Sequence, residues 1–244
     1  MAKCRLVLAR VPGKGKGAMS TSEQPSVGSR TCSADPPSTA HFRELSDDGA
    51  QMAATEQGRQ FLKYLVSCAL LPEQGAYVVV DGVRHDFPGS LGLAPHWLDQ
   101  PLTETEQRWV SAGILARTNF FGVQVQISTR HPSSGFVSLA AGDQELRDFT
   151  LYEGDFFGNV FAEQPVACVA VARRSPEEQA DPILQRRVGT EIDPGLVPID
   201  GKPITRCGFI MTGYADDPDA HTFRGVGYDE YISVYLKPER QDKA

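Results

Sequence analysis

Two stretches in the first half of the chain repeat apolar residues at helical spacing. The first follows Thr55, which is a suitable N-cap, and it stops before Pro72. The second opens with a capping box, in which Thr103 and Glu106 each satisfy a backbone N–H of the first turn, and Gly122 is a suitable terminator. The apolar face of the first helix comprises Phe61, Leu62, Leu65, Val66, Cys68 and Ala69, and that of the second comprises Trp109, Ala112, Gly113, Ala116 and Phe120.

A β-hairpin is predicted between these two helices. Residues 76–80 and 83–87 are rich in β-formers, and Asp81 and Gly82 between them suit a type I′ turn, which needs positive φ at both central residues. Strict alternation of polar and apolar residues predicts a further strand at 123–128, directly after the second helix. Beyond it, the pattern predicts only strands and loops.

The later strands are predicted at 136–140, 149–152, 166–172, 205–211 and 230–237. In the last one, Ile232, Val234 and Leu236 face one way while Tyr231, Ser233 and Tyr235 face the other. The segment 175–204 is rich in Pro, Asp, Glu and Gly, and it is predicted as a long loop with one short helical turn near 183–187. Helices that precede strands, without βαβ alternation, favour an α+β fold in which the two early helices pack on a mostly antiparallel β-sheet or β-sandwich.

The charge distribution divides the chain into a head and a body. Residues 1–30 carry six basic side chains and one acidic one, so they contribute +5 to the net charge of −7 and the rest carries −12. Residues 1–41 are therefore predicted as a disordered basic head, or as the product of a start site placed before Met19, the alternative first residue. Residues 42–244 are predicted as a single globular domain. Its negative charge argues against nucleic acid as a partner, and no apolar run is long enough for a membrane span.

The cysteines and the N-terminal run bear on the cellular location. Five cysteines in 244 residues are too sparse for a disulfide-stapled scaffold, and there is no CxxC pair. A Cys168–Cys207 bridge requires export. The apolar run from Leu6 to Ala9 is shorter than a signal-peptide core, so a cytoplasmic location is expected rather than an extracytoplasmic one.

Four segments of the chain carry a resemblance to other proteins. They read FLKYLVSCAL from Phe61, FPGSLGLAPHW from Phe87, QRWVSA from Gln107 and EGDFFGN from Glu153. They resemble a family of uncharacterised, mostly myxobacterial proteins over residues 57–215, a resemblance that implies no known activity. Many members resemble exported proteins that are richer in cysteine. This chain has Ala112-Gly113 where they tend to place a cysteine, a departure that suits a relative working inside the cell.

Three residues are candidates for acid–base catalysis. His85 lies in the predicted hairpin, where an imidazole can serve as a general base near neutral pH. Glu153 and Asp155 are two apart on an extended segment, so their carboxylates are expected on the same side, near enough to raise one another's pKa. The alternative for His85 is a hydrogen-bonded residue of the core or its rim. The alternative for Glu153 and Asp155 is a turn between strands.

A candidate metal site lies near the end of the chain. Asp217, Asp219 and His221 belong to its densest cluster of acidic residues and histidine, and these ligands suit a divalent cation. The cluster matches neither an EF-hand loop nor a zinc motif, so an exposed polar loop is the alternative. No other cofactor is indicated.

Two functions remain open from the sequence. The first is a strand-rich binding or interaction protein, whose partner is a small-molecule ligand or another protein, and it is favoured by the absence of any recognised catalytic motif. The second is a small-molecule enzyme, of the cyclase or isomerase kind in specialised metabolism, with an aromatic-walled pocket. Whether the chain is an enzyme is not decided by the sequence. The location of Glu153, Asp155 and His85 in a deep pocket would favour the enzyme, and a flat exterior would favour the binding protein.

Overall fold

The computed structural model describes residues 42–119, 123–187 and 189–239. The predicted basic head at 1–41 and the predicted terminator Gly122 lie outside the described residues. No helix within these three ranges is long and apolar enough to cross a membrane.

The first layer contains the predicted hairpin. Strand β1 (Phe42–Glu44) pairs in parallel with β2 (Gly75–Val80), which pairs in antiparallel with β3 (Val83–Pro88). Asp81 and Gly82 join β2 to β3 with φ angles of 50° and 78°, as a type I′ turn requires. The hairpin prediction is therefore confirmed to within a residue at each end.

The two long helices begin where the caps predict. A short helix α1 (Asp47–Ala53) precedes α2 (Glu56–Ala69), whose N-cap Thr55 accepts the N–H of Gly58 at 3.0 Å. Helix α3 (Glu104–Ala116) starts with the complete capping box of Thr103 and Glu106. A Cβ on Gly113 would lie 2.9 Å from Sγ of Cys68, so the small residue lets α3 approach α2 closely.

The largest element is a five-stranded sheet with the order β4-β10-β5-β6-β7. All its pairings are antiparallel except that of β6 with β7. Helix α3 packs on its centre, against β5 and β10. The fold is thus the predicted α+β class, with two early helices packed on a sheet. The strands are β4 (Ile127–Arg130), β5 (Leu151–Asn159), β6 (Val166–Val171), β7 (Ile210–Tyr214) and β10 (Tyr231–Leu236), and the small hairpin β8 (Thr222–Phe223) and β9 (Val226–Gly227) precedes β10.

Some predictions for the second half of the chain are wrong. The expected strand at 136–140 is a 3₁₀ turn, Val137–Leu139, and two short helices, at 143–148 and 176–179, occur where only strands and loops were expected. The predicted strand at 205–211 begins only at Ile210, because the chain turns at Gly208, which has φ of 84°. The turn brings the N–H of Thr205 to the carbonyl of Phe209. The short helices are α4 (Asp143–Asp148), α5 (Pro176–Gln179) and α6 (Pro182–Arg186), of which α6 is the helical turn predicted within the long loop.

The two faces of the five-stranded sheet differ. On the inner face, Ile232, Val234 and Leu236 are fully buried in the main core with residues of α3, as the alternation predicts. On the outer face, a second apolar cluster packs Phe157 and Cys168 beneath the β8-β9 hairpin. The hairpin covers only part of the outer face. The rest of that face carries polar and aromatic side chains from β4, β5 and β10.

Candidate functional site

A β-bulge in β5 separates the two predicted catalytic carboxylates. Tyr235 of β10 lies opposite Tyr152, whereas Val234 lies opposite Gly154, so Glu153 is the extra residue. Gly154 permits this close path, since a Cβ there would lie 2.4 Å from the carbonyl oxygen of Ala170. The bulge turns Glu153 toward the inner face and leaves Asp155 on the outer face. The expectation that the two carboxylates share one side is therefore wrong.

Asp155 is the centre of a hydrogen-bonded group on the outer face. Its carboxylate is buried, and Oδ1 accepts the hydroxyls of Tyr152 and Ser233, each at 2.6 Å. Its Oδ2 lies 2.8 Å from Nε2 of His221. Three donors thus satisfy a carboxylate that has been taken out of water. We call the group formed by Tyr152, Asp155, His221, Tyr231 and Ser233 the Asp155 cluster.

His221 is held by the Asp155 carboxylate and by aromatic neighbours. Its ring stacks on Tyr231, with centroids 4.1 Å apart and an interplanar angle of 12°, and it meets Phe157 edge-on at 5.6 Å. Because a carboxylate only accepts hydrogen bonds, Nε2 of His221 carries the donated proton, and in the tautomer that carries only this proton Nδ1 is an acceptor. No other described residue hydrogen-bonds Nδ1, and the side chain is 25% exposed. Nδ1 can therefore receive a proton or a hydrogen bond from an incoming molecule.

The phenols of the cluster stay protonated. Burial, followed by the charge of Asp155, raises the pKa of both Tyr152 and Tyr231. Tyr152 uses its proton in the hydrogen bond to Asp155. Both phenols are consequently neutral hydrogen-bonding groups at physiological pH.

A second histidine, His131, also contacts Tyr231. The His131 ring centroid is 4.4 Å from that of Tyr231 and 5.1 Å from that of Trp109. Its Nδ1 accepts the backbone N–H of Ser133 at 3.2 Å. Burial lowers the pKa of His131, an effect that nearby Asp229 and Asp155 partly offset. His131 is therefore a neutral ring at physiological pH that packs against Tyr231.

An aromatic and cationic surface continues from the Asp155 cluster across the sheet. Tyr152 stacks on Tyr235 at 4.8 Å, and the guanidinium of Arg130 lies 4.0 Å from the Tyr235 ring centroid. Arg130 is fixed by Oγ of Ser128 at 2.7 Å and by the carbonyl of Phe149 at 2.8 Å. All three large side chains are half-buried. The outer face thus offers a rigid stacking surface next to the His221 imidazole.

Glu153 belongs to a different group, inside the core. Its Oε2 accepts Nε of Arg187 at 2.8 Å, and both side chains are completely buried. The guanidinium also donates to the carbonyls of Ala116 and Thr118, at 2.8 and 3.1 Å, at the end of α3. The Ala116 carbonyl belongs to the last residue of α3, whose carbonyl the helix itself leaves unpaired, and Thr118 follows the end of the helix. A cation at this end also interacts favourably with the helix dipole. Glu153 and Arg187 therefore stabilise the end of α3 and do not contact the Asp155 cluster.

His85, the third predicted catalytic residue, lies in a different sheet from Glu153 and Asp155. It lies on β3, opposite Val78, in the three-stranded sheet. No hydrogen bond or ion pair between described residues joins it to Glu153 or Asp155. Its neighbour Asp86 forms an ion pair with Arg84 at 2.7 Å.

The three predicted metal ligands do not share a site, because their side chains have different surroundings. The Asp217 carboxylate forms an ion pair with Arg173 at 2.7 Å and accepts the backbone N–H of Tyr214 at 3.2 Å. The His221 imidazole is hydrogen-bonded to Asp155 instead. Asp219 is exposed on the same loop. Throughout residues 42–119, 123–187 and 189–239, no three His, Cys, Asp or Glu side chains are grouped to hold a metal ion.

Sequence reasoning missed several residues of this region. Tyr231 and Ser233 were placed together on one face of their strand, and that alternation was the signal that could have marked them. Arg187 has no such signal, because it lies in an irregular segment and its partners are distant in the sequence. No disulfide joins Cys168 to Cys207.

A cavity between described residues lies elsewhere. It is lined by residues of 124–126, α6 and 237–239, and none of His85, Glu153 and Asp155 lines it. Asp155 and Glu153 do not lie on a flat exterior either, since both are buried. Comparison of the chain with protein-family models, with curated proteins and with solved structures finds no match.

Proposed function

We propose that the protein binds a small molecule on the outer face of the five-stranded sheet, at the Asp155 cluster. The observation that carries this proposal is the buried Asp155 carboxylate that holds the partly exposed imidazole of His221 at 2.8 Å. A histidine oriented in this way presents one defined acceptor, Nδ1, to an incoming donor. Half-buried aromatic rings beside it supply apolar contact area.

The surroundings of His221 narrow the class of ligand. Tyr152 of β5 and Arg130 of β4, which lie against the ring of Tyr235, each present a flat group, to which a planar ring stacks favourably. Nδ1 of His221 requires a hydroxyl or N–H on the ligand. A planar, hydroxylated small molecule fits both requirements.

Ligand binding can be tested by NMR with phenol and 4-hydroxybenzoate as probes on the full chain. We expect each probe to shift the ring signals of His221 and Tyr231. His221→Phe keeps a ring stacked on Tyr231 and removes the acceptor, so it should abolish the shift of the Tyr231 signals. His96→Phe, at an exposed position, is the matched control and should leave them unchanged. Shifts that map elsewhere, or that survive in His221→Phe, would contradict the proposal.

Acid–base catalysis by His221 is the second candidate function. It is favoured by the Asp155–His221 hydrogen bond, because a carboxylate on one imidazole nitrogen stabilises the charge that forms when the other nitrogen accepts a proton. In this role Nδ1 of His221 removes a proton from the substrate and Asp155 positions the ring. An isomerase or cyclase uses this type of proton transfer.

Catalysis and simple binding differ in one measurement. In D₂O, an acid–base enzyme should exchange the α-protons of bound 4-hydroxyacetophenone for deuterium, and His221→Phe should lose this exchange. Probe binding without exchange supports the binding protein alone. Asp155→Asn is a poorer variant, because Asp155 also anchors Ser233 and Tyr152 and its loss should lower stability as well.

A further inference from the structure

A cavity of about 320 Å³ opens at the end of β10, away from the Asp155 cluster. This volume lies at the lower end of the range of ligand pockets, which is about 300–1,000 Å³. Its lining combines apolar, amide and charged side chains from three segments of the chain. They include Val125, Gln126, Ile183, Arg186, Lys237 and Glu239.

A buried carboxylate holds two of the cavity walls together. Asp181 is almost completely buried and accepts the N–H of Ile183 at 3.0 Å, which caps the start of α6. Both of its oxygens also accept the N–H of Glu239, at 3.1 and 3.2 Å. α6 and the segment after β10 are therefore tied to one another, and the cavity between them has fixed walls.

The floor and the rim of the cavity differ in polarity. Val125 and Ile183 are buried and form an apolar floor. At the rim, Arg186 and Glu239 form an ion pair at 2.7 Å, so their charges offset one another. Lys237 is exposed, and no carboxylate among the described residues is paired with it. Among the charged side chains that line the cavity, Lys237 is therefore the one without an oppositely charged partner, and it lies above an apolar floor.

We propose that this cavity binds a small aliphatic carboxylate. Its carboxylate lies on Lys237, with the Gln126 amide as a further donor, and its alkyl chain lies on Val125 and Ile183. A single negative charge matches the single unpaired cation, whereas Glu239 at the rim disfavours a dianion such as phosphate. The alkyl chain gains the free energy of leaving water on the apolar floor.

Calorimetric titration of the full chain with hexanoate and with 1-hexanol tests this proposal. We expect hexanoate to bind more tightly than the neutral alcohol of the same length. Lys237→Met should weaken hexanoate binding roughly fivefold, the upper range for one solvent-accessible ion pair, and leave the alcohol unaffected. Added salt should weaken the binding of hexanoate alone.

The control variant is Arg147→Met, which removes an exposed cation from α4, outside the cavity. It changes the net charge by the same amount and should leave hexanoate binding at the wild-type level. Equal affinity for the acid and the alcohol would overturn the proposal. So would a hexanoate affinity that Lys237→Met leaves intact, or the absence of hexanoate binding to the wild-type chain.

Discussion

Buried charges in this protein are stabilised by groups that converge from distant parts of the chain. Arg187 reaches Glu153, 34 residues away in sequence, and also donates to the carbonyl of Ala116, the last residue of α3. Removing one member of such a pair leaves a charge that is buried without its partner, which costs more than the pair itself contributes. The Asp155 carboxylate is satisfied in the same way, by three donors from different segments.

We therefore expect Glu153→Gln to lower the free energy of unfolding by about 3 kcal/mol, because it strands the Arg187 guanidinium in the core. Urea denaturation measures the change. The matched control is Glu191→Gln, which breaks the exposed pair with Arg206, where the two side chains are 39% and 51% exposed. That change should cost less than about 1 kcal/mol. Equal losses in the two variants would contradict the structural role of the buried pair.

Among the secondary-structure elements, turns and bulges determine where side chains point. The one-residue bulge in β5 sends Glu153 and Asp155 to opposite faces of the sheet, so one stabilises α3 and the other organises the outer face. The β2-β3 turn does not shift the register of its two strands. The pairing of β2 with β3 is continuous from Val80 opposite Val83 to Gly75 opposite Pro88.

The β2-β3 turn supplies a test of backbone conformation alone. Gly82 has φ of 78°, and a Cβ there would meet nothing within 4 Å, so Gly82→Ala introduces strain without a clash. We expect it to lower the free energy of unfolding by about 1 kcal/mol, the cost of a left-handed conformation for alanine. Gly227→Ala, equally open but without positive φ, should change it little. The same denaturation measurement compares them, and equal effects would show that conformation is not the cause.

For the whole molecule, one face of the five-stranded sheet packs in the main core, and the other face carries the candidate site. The inner face and α3 form the main apolar core, whereas the outer face is only partly covered by the β8-β9 hairpin. The rings of Tyr152, His221, Tyr231 and Tyr235 lie on the uncovered part, and His131 contacts Tyr231. The stability of the molecule should consequently respond to pH through that face.

His131 is expected to contribute to this response. Burial lowers its pKa below the ordinary 6.5, so on acidification the unfolded chain takes up this proton before the folded one does. The associated stability is fully present above the unfolded pKa and is lost as the pH falls toward the folded pKa. His131→Gln should therefore lose less stability than the wild type between about pH 7.5 and about pH 5.

Urea midpoints at the two pH values measure this difference. His96→Gln, at an exposed site, is the control and should retain the wild-type pH dependence. A wild-type slope that persists in His131→Gln would exclude the ring as its source. The quantity compared is the change in stability between the two pH values. The absolute stability of His131→Gln is lower at both, because the contacts of His131 with Trp109 and Tyr231 are lost.

What the sequence by itself determined is the local structure. The caps at Thr55 and Thr103, the Asp81-Gly82 turn and the two faces of β10 depend on residues a few positions apart, so their patterns are legible without coordinates. The 3₁₀ turn at Val137–Leu139 and the early turn at Gly208 escaped this reasoning. In both places the backbone takes a tight turn within a stretch of strand-forming residues.

Only the tertiary structure decided the composition of the candidate site. Asp155 was predicted as a catalytic residue and His221 as a metal ligand, but they are 66 residues apart, and only the packing of the β8-β9 hairpin against the sheet joins them. The bulge that removes Glu153 from this site depends on the register between two strands that are distant in sequence. Such contacts follow from how layers pack, which no local pattern records.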